Sequence, residues 1–324
     1  MTVALVTGIT GQDGSYLADR LTREGVEVHG FAREGATVAG SSLPAAVHVH
    51  QVDLRDHARV GSLVAEIAPD EVYNLGGISS VAYSWAHPAE TGLVSGIGAV
   101  ALFEAAHAVQ EATGRRVRVV QASSAEIFGT PDRTPQDEGT AIRPTSPYGA
   151  AKAYAHQMAG IYRSRGLDVS SCVLYNHESP RRPETFVTRK ITAGAARIAT
   201  DGGGVLALGN LDARRDWGWA PDYVDAMVRA ARHTEPDDFV VATGVAHSVE
   251  DFVRLAFSAA GIEDWSKHVE IDPRFVRPVD TAVQVGDAAR ARAVLGWAPT
   301  VTFEEIIEKM VENDLEQIHR EVAR

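Results

Sequence analysis

The N-terminal segment commits this chain to one supersecondary unit. Val3-Ala-Leu-Val-Thr7 is an apolar run that ends in Gly8-Ile-Thr-Gly11-Gln-Asp-Gly14, and Gln12 to Glu24 reads as a helix. A second strand-like run, Val26-Glu-Val-His-Gly-Phe31, follows. Glycines at such a turn let backbone amides and a helix N-terminus approach a pyrophosphate. The spacing is Gly-x2-Gly-x2-Gly, not the Gly-x-Gly-x2-Gly of many dehydrogenases. Glycines alone leave an ordinary strand-to-helix turn open. The second strand completes a strand–helix–strand unit and selects dinucleotide binding.

The same alternation continues. Strands are predicted at 3–7, 26–31, 47–52, 71–75, 116–122 and 169–175, and helices at 12–24, 57–67, 92–111 and 147–165. This order implies a parallel sheet covered on both faces. Beyond Tyr175 the chain turns rich in Arg, Pro and Gly, with helices near 187–199, 223–232 and 303–318 and a late strand at 239–244. The expected fold class is α/β, a Rossmann-type doubly wound parallel sheet with a smaller C-terminal substrate-binding domain. The dinucleotide-binding domain is placed at 1–175 plus 217–246, and the substrate domain at 176–216 plus 247–324. Ligands of open parallel sheets sit at the carboxyl ends of the strands.

Composition narrows the function. The chain has 324 residues, is 45% hydrophobic and carries a formal net charge of −12. That charge argues against a broad nucleic-acid or membrane surface, so an anionic ligand needs a locally basic site. The single cysteine, Cys172, excludes a disulfide framework and suits a reducing compartment. No apolar run near 18 residues and no leader is read from the sequence, so a cytoplasmic protein is expected. The twelve histidines show no metal-binding spacing, and no metal is expected.

Tyr148-Gly-Ala-Ala-Lys152 carries the chemistry. Tyr and Lys four apart on a helix share a face. A cation beside the phenol would favour phenolate and make a base near neutrality. Chance produces that spacing often; its weight comes from Glu126, at the end of the strand 116–122, where the sheet's ligand edge should lie.

Together these segments resemble the extended short-chain dehydrogenase/reductase superfamily, and within it the GDP-mannose 4,6-dehydratase family. The matching stretches are Thr7-Gly-Ile-Thr-Gly-Gln-Asp-Gly-Ser-Tyr-Leu17, Gln121-Ala-Ser-Ser-Ala-Glu126, Ser146-Pro-Tyr-Gly-Ala-Ala-Lys152, Asn176-His-Glu-Ser-Pro-Arg-Arg182 and Gly209-Asn-Leu-Asp-Ala-Arg-Arg-Asp-Trp-Gly218, with Leu295-Gly-Trp297 near the end. The fourth and fifth are the most specific.

The resemblance implies a lyase that removes water from a nucleotide-hexose by redox-neutral internal hydride transfer. Tyr148 would take the C4 hydroxyl proton, and Ser124 would hydrogen-bond the C4 oxygen. Glu126 would take the C5 proton and assist departure of the C6 hydroxyl. Lys152 would hold the nicotinamide ribose and lower the Tyr148 pKa. Gly8, Thr10, Gly11, Gln12, Asp13, Gly14, Arg33, Asp53 and Leu54, with Tyr148 and Lys152, would bind the cofactor. Ser124, Glu126, Asn176, Lys190, Arg215 and Arg277 would bind the nucleotide sugar. Around them Arg181, Arg182, Arg189 and Arg214 complete a basic cluster suited to phosphate, of which about half are expected to be structural.

Several positions depart from the family pattern. Ala125 replaces a hydroxyl residue, so Glu126 must act without a neighbouring acid. Arg33-Glu34-Gly35 replaces Arg-Arg-Ser; Arg33 favours NADP, while Glu34 suits the ribose of NAD. Ile78 stands where an amide is usual, and Asp280 and Ala282 alter the segment after Arg277. These changes leave the sugar and base open. An epimerase or 4-keto reductase on the same scaffold, or a non-catalytic cofactor binder, are the alternatives, and Glu126 argues for dehydration. Apolar helices 92–111 and 147–165 suggest a homodimer or homotetramer. The first offers Ala101, Leu102, Ala105, Ala106 and Val109, and the second Ala150, Ala151, Tyr154, Met158 and Ile161.

Overall fold

β1 (Val3–Thr7) occupies the middle of a seven-stranded sheet because Ala4, Leu5 and Val6 have no polar side chain to leave in water, and all are fully buried. The structure is a computed structural model that describes residues 1–37, 43–275 and 283–322. Arg277, Asp280 and Ala282 lie outside the described residues.

The other strands are β2 (Glu27–Ala32), β3 (His48–Gln51), β4 (Glu71–Asn74), β5 (Arg118–Ser124), β6 (Asp168–Leu174) and Asp238–Val241. Their spatial order is Asp238–Val241, β6, β5, β4, β1, β2, β3, and every pairing is parallel. The order reverses between β1 and β4, which opens a crevice at their carboxyl ends. The predicted strands match these within two residues or so, except that β5 runs on to Ser124.

One face of the sheet is covered by α1 (Gln12–Arg23) and helix Ala220–Arg232 through Leu17, Leu21, Tyr223 and Met227. The other is covered by α2 (His57–Ile67) and helices Gly98–Thr113 and Pro147–Ser164 through Leu63, Leu102, Phe103 and Tyr162. Each large apolar side chain buried this way contributes about 2 kcal/mol. A third core, with Ile191, Trp217, Phe252, Phe303 and Met310, holds the C-terminal helices together.

The helix predicted at 92–111 differs. It is built from Pro88–Thr91, a π-helical turn Gly92–Ile97 and an α-helix Gly98–Thr113. The wide turn brings Ser95 Oγ within 2.9 Å of the Ile78 amide it accepts from. By length and composition Pro88–Thr113 is apolar enough to cross a membrane, which corrects the sequence reading. Half of that apolar window is buried, and Leu102, Phe103 and Ala106 pack on the sheet. Helix Gly98–Thr113 therefore spends its apolar side on its own core. The exposed apolar residues of this region are Leu93, Ile97, Tyr154 and Ile161.

A small second sheet has no counterpart among the predicted strands. Arg214–Trp219 pairs antiparallel with Ala246–Ser248 and parallel with Val283–Gln284 and Asn176–Glu178. Asn176–Glu178, Ala246–Ser248 and Val283–Gln284 are too short for a two-residue period to show, and Arg214–Trp219, Arg-Arg-Asp-Trp-Gly-Trp, has no apolar alternation.

Candidate active site

The glycine turn is built for close approach. Gly8 has φ +68°, and a Cβ on Gly14 would stand 2.3 Å from the Gly8 carbonyl oxygen. Gly11 caps α1 without a side-chain hydrogen bond, so the helix N-terminus is left for an outside anion. Thr10 is half-buried beside it. These features fit a dinucleotide pyrophosphate.

Gln12 and Asp13 face inward to the segment 176–179. Gln12 Nε2 donates to the His177 carbonyl at 3.1 Å, and Ser179 Oγ donates to Gln12 Oε1 at 2.8 Å. His177 Nδ1 reaches the Tyr175 carbonyl at 2.7 Å and Nε2 reaches Asp13 Oδ2 at 2.8 Å. Both ring nitrogens meet oxygen acceptors, an environment that favours the doubly protonated ring. Burial opposes both charges, but the pairing outweighs it: Asp13 is held below its ordinary value and His177 above.

Ser146 caps helix Pro147–Ser164 by accepting from the Gly149 amide at 3.0 Å. A Cβ at Gly149 would stand 2.5 Å from the Glu126 carbonyl, so glycine lets Tyr148 dock against the turn Ala125–Ile127 that carries Glu126. Ser84 Oγ accepts from the Tyr148 amide at 3.2 Å.

Burial pushes the Tyr148 phenol up to about 12; the Ser124 hydroxyl hydrogen-bonded to it pulls the other way, and the Glu126 charge adds to the rise. Burial brings Lys152 down to about 8, with Asp13 partly opposing. Lys152 Nζ donates to the Ala122 carbonyl at 2.9 Å and lies 5.9 Å from the Tyr148 ring centre. The expected depression of Tyr148 by Lys152 is thus not what this geometry gives. Desolvation wins over a cation at that distance.

β2 and β3 end beside each other. Arg33 stands near enough to Asp53 to help hold its carboxyl down, after the larger effect of Arg55, which grips Asp53 with Nε at 3.0 Å. Leu54 lies against Gly76 and Gly98, where added Cβ atoms would be 2.7 and 3.4 Å from its side chain.

The basic cluster resolves into separate groups. Arg189 is buried and paired with Asp314 at 2.5 Å. Arg181 pairs with Asp19 at 2.7 Å and stacks on Tyr16, and Arg182 pairs with Glu178 at 3.3 Å. Arg214 is exposed and donates to the Ala246 carbonyl. Asn176 begins its strand half-buried, and Arg215 is buried in the strand Arg214–Trp219. Lys190 sits farther out, donating to the Ala207 carbonyl at 2.6 Å and lying 3.6 Å from the centre of the Phe275 ring. Among the described residues no group of three His, Cys, Asp or Glu side chains could hold a metal ion.

Sequence reasoning missed three contributors. His177 lies inside a matched segment and could have been singled out there. Ser84 and Gln284 gave no signal, since both act through contacts from distant elements.

A dinucleotide turn whose sheet edge also carries a buried Tyr–Lys pair places the chain among the extended short-chain dehydrogenase/reductase enzymes that work on nucleotide sugars. Residues 5–310 match the profile of the family described as GDP-mannose 4,6 dehydratase. The chain belongs to that family, whose members are lyases using NADP. It is 44% identical to GDP-mannose 4,6 dehydratase 2 of Arabidopsis thaliana, over 98% of this chain and 88% of that one. It is 39% identical to GDP-mannose 4,6 dehydratase of Homo sapiens, over 97% and 91% respectively. A UDP-glucose 4-epimerase of Thermus thermophilus, solved in complex with NAD, superimposes with a TM-score of 0.84 at 28% identity, covering 97% of this chain and 99% of that one.

Proposed function

We propose that this chain converts GDP-mannose to its 4-keto-6-deoxy form with loss of one water. The carrying observation is that Ser124, hydrogen-bonded to Tyr148, shares with Glu126 the turn that closes β5. A tyrosine that accepts a proton as its phenolate and a carboxylate at one sheet edge suit consecutive proton removals, from the C4 hydroxyl and then from C5.

Tyr148 takes the C4 hydroxyl proton while Ser124 holds the C4 oxygen. Once C4 is a ketone the C5 proton is acidic, and Glu126 removes it and passes it to the departing C6 hydroxyl, forming water. The proton taken from O4 balances the one that C5 regains. When bound, NADP supplies a hydride acceptor that returns the same hydride within the turnover. Gly8, Thr10, Gly11, Gln12 and Gly14 hold its pyrophosphate, with Asp13 shaping the turn through His177. Leu54 lines the base side, and Lys152 holds the nicotinamide ribose. Among the described residues no carboxylate pairs with Arg33, which leaves its fork for a 2′-phosphate and favours NADP over NAD; Asp53 and Arg55 flank it. Asn176, Lys190 and Arg215, with Arg277, bind the nucleotide sugar.

The sheet of residues 1–175 plus 217–246 is the dinucleotide domain, and 176–216 plus 247–324 the nucleotide-sugar domain. A homodimer through exposed Leu93, Ile97, Tyr154 and Ile161 is the favoured assembly, in the cytoplasm. The test is incubation with GDP-mannose and, separately, other nucleotide-hexoses, read by mass spectrometry. Water loss from GDP-mannose is expected; water loss from another donor alone reassigns the substrate, and none from any donor ends the reading.

A further inference from the structure

We infer that Gln284 is a positioning residue for Glu126. The inference rests on the proposed dehydration, because it assigns Glu126 its working geometry. Gln284 is only 3% exposed and lies on the strand Val283–Gln284, where it pairs in register with Arg215. Its Nε2 points at Glu126 Oε1 across 3.4 Å, a contact between residues 158 positions apart.

The chemistry of the two groups fixes the direction of help. A glutamine amide brings N–H donors and no charge, while an ionised carboxylate only accepts. The amide therefore meets the carboxylate through an N–H donor, and its role is to orient the group that removes the proton. Holding Oε1 also fixes the carboxylate plane and leaves Oε2 for the C5 proton. A side chain confined to its own strand could not do this. The donor arrives from the small sheet, one strand from Arg215, so the elements that would hold the nucleotide sugar also set the base. Burying an amide this deeply is costly unless its donors are used, and Glu126 is the partner that uses one.

The experiment is steady-state kinetics of the full-length protein, with NADP, on GDP-mannose deuterated at C4 or at C5. Gln284→Met keeps length and volume but removes the donor. We expect kcat to fall about tenfold, as for loss of a hydrogen bond to a charged group. KM should stay within about twofold, because ground-state binding is untouched. The isotope effect from C5 should grow while that from C4 shrinks, since only the step that Glu126 performs is slowed. A merely structural role would leave that partition unmoved. Gln284→Glu, which sets a second carboxylate against the first, should lose more activity than the Met variant. A Met or Glu variant with wild-type kcat overturns the inference, and so does a loss with unchanged isotope effects. Wild-type protein that releases no water from any nucleotide-hexose overturns the proposed function itself, and is distinguished by needing no variant.

Discussion

His177, which is buried, and Asp13, which is half-buried, form a pair 2.8 Å apart that ties the glycine turn to the strand leaving the sheet at Asn176. His177 also stacks on Tyr223 at 4.5 Å, so the ring is held from its face as well as its edges. Removing one partner of a fully buried pair costs about 3–5 kcal/mol; Asp13 keeps some contact with solvent, so His177→Ala should lose less, about 2–3 kcal/mol. The pH dependence follows from both shifts. His177 is raised, so its stabilisation is complete below the ordinary imidazole value and fades as pH rises through the folded one. Asp13 is lowered, so its share is complete above the ordinary carboxylate value and fades as pH falls. The difference between wild type and His177→Ala, measured by urea unfolding, should peak between about pH 4 and 6.5 and narrow on either side.

Lys152 should behave in the opposite sense. Burial lowers it to about 8, so the folded state disfavours the ammonium. That cost is fully present below about pH 8 and vanishes as pH climbs to the ordinary lysine value. Lys152→Met removes it, and the Ala122 carbonyl keeps a second donor in Gln121 Nε2 at 2.9 Å. The variant should be more stable than wild type by about 2 kcal/mol at pH 7, with the gain shrinking by pH 10, while turnover collapses. Thermal melts across that pH range decide it.

Much of this was legible in the sequence, for stated reasons. β1 through β6 are separated by helices except between β2 and β3, those helices have apolar faces at helical spacing, and the glycine turn needs Gly8 at φ +68° where other residues are strained. Tyr148, Lys152 and Glu126 stand out in the sequence because the proposed chemistry calls for those residue types. The π-turn at Gly92–Ile97 was not, since it preserves the apolar texture of an α-helix while changing its winding. Sequence alone groups Arg189 with the phosphate-binding cations because charge does not reveal a partner; Asp314 lies 125 positions away. The direction of the Tyr148 shift also escaped, because sequence shows the nearby cation but not the depth of burial.

Arg189 offers a clean separation of structural from ligand roles. Arg189→Met should cost about 3–5 kcal/mol by stranding the Asp314 carboxyl, and Arg189→Met with Asp314→Leu should recover most of it. Denaturant midpoints measure the stability. The KM for the nucleotide sugar should be near wild type in the double variant; a large rise there would return Arg189 to the binding site.

Glu126→Gln should stop the reaction after the first oxidation. The amide cannot take the C5 proton, and turnover should fall by about 10²–10⁴-fold. Reduced-cofactor absorbance should build up in a single turnover of the variant and not of wild type. A variant with full turnover would remove Glu126 from the chemistry.

The most direct test follows one hydrogen. GDP-mannose carrying deuterium at C4 is incubated with the protein and NADP, and the product is examined by mass spectrometry and NMR. Deuterium at C6 of a product one water lighter, with no net reduction of the cofactor, is the expected result. Deuterium left at C4, or a product that has kept its water, would contradict internal hydride transfer and dehydration together.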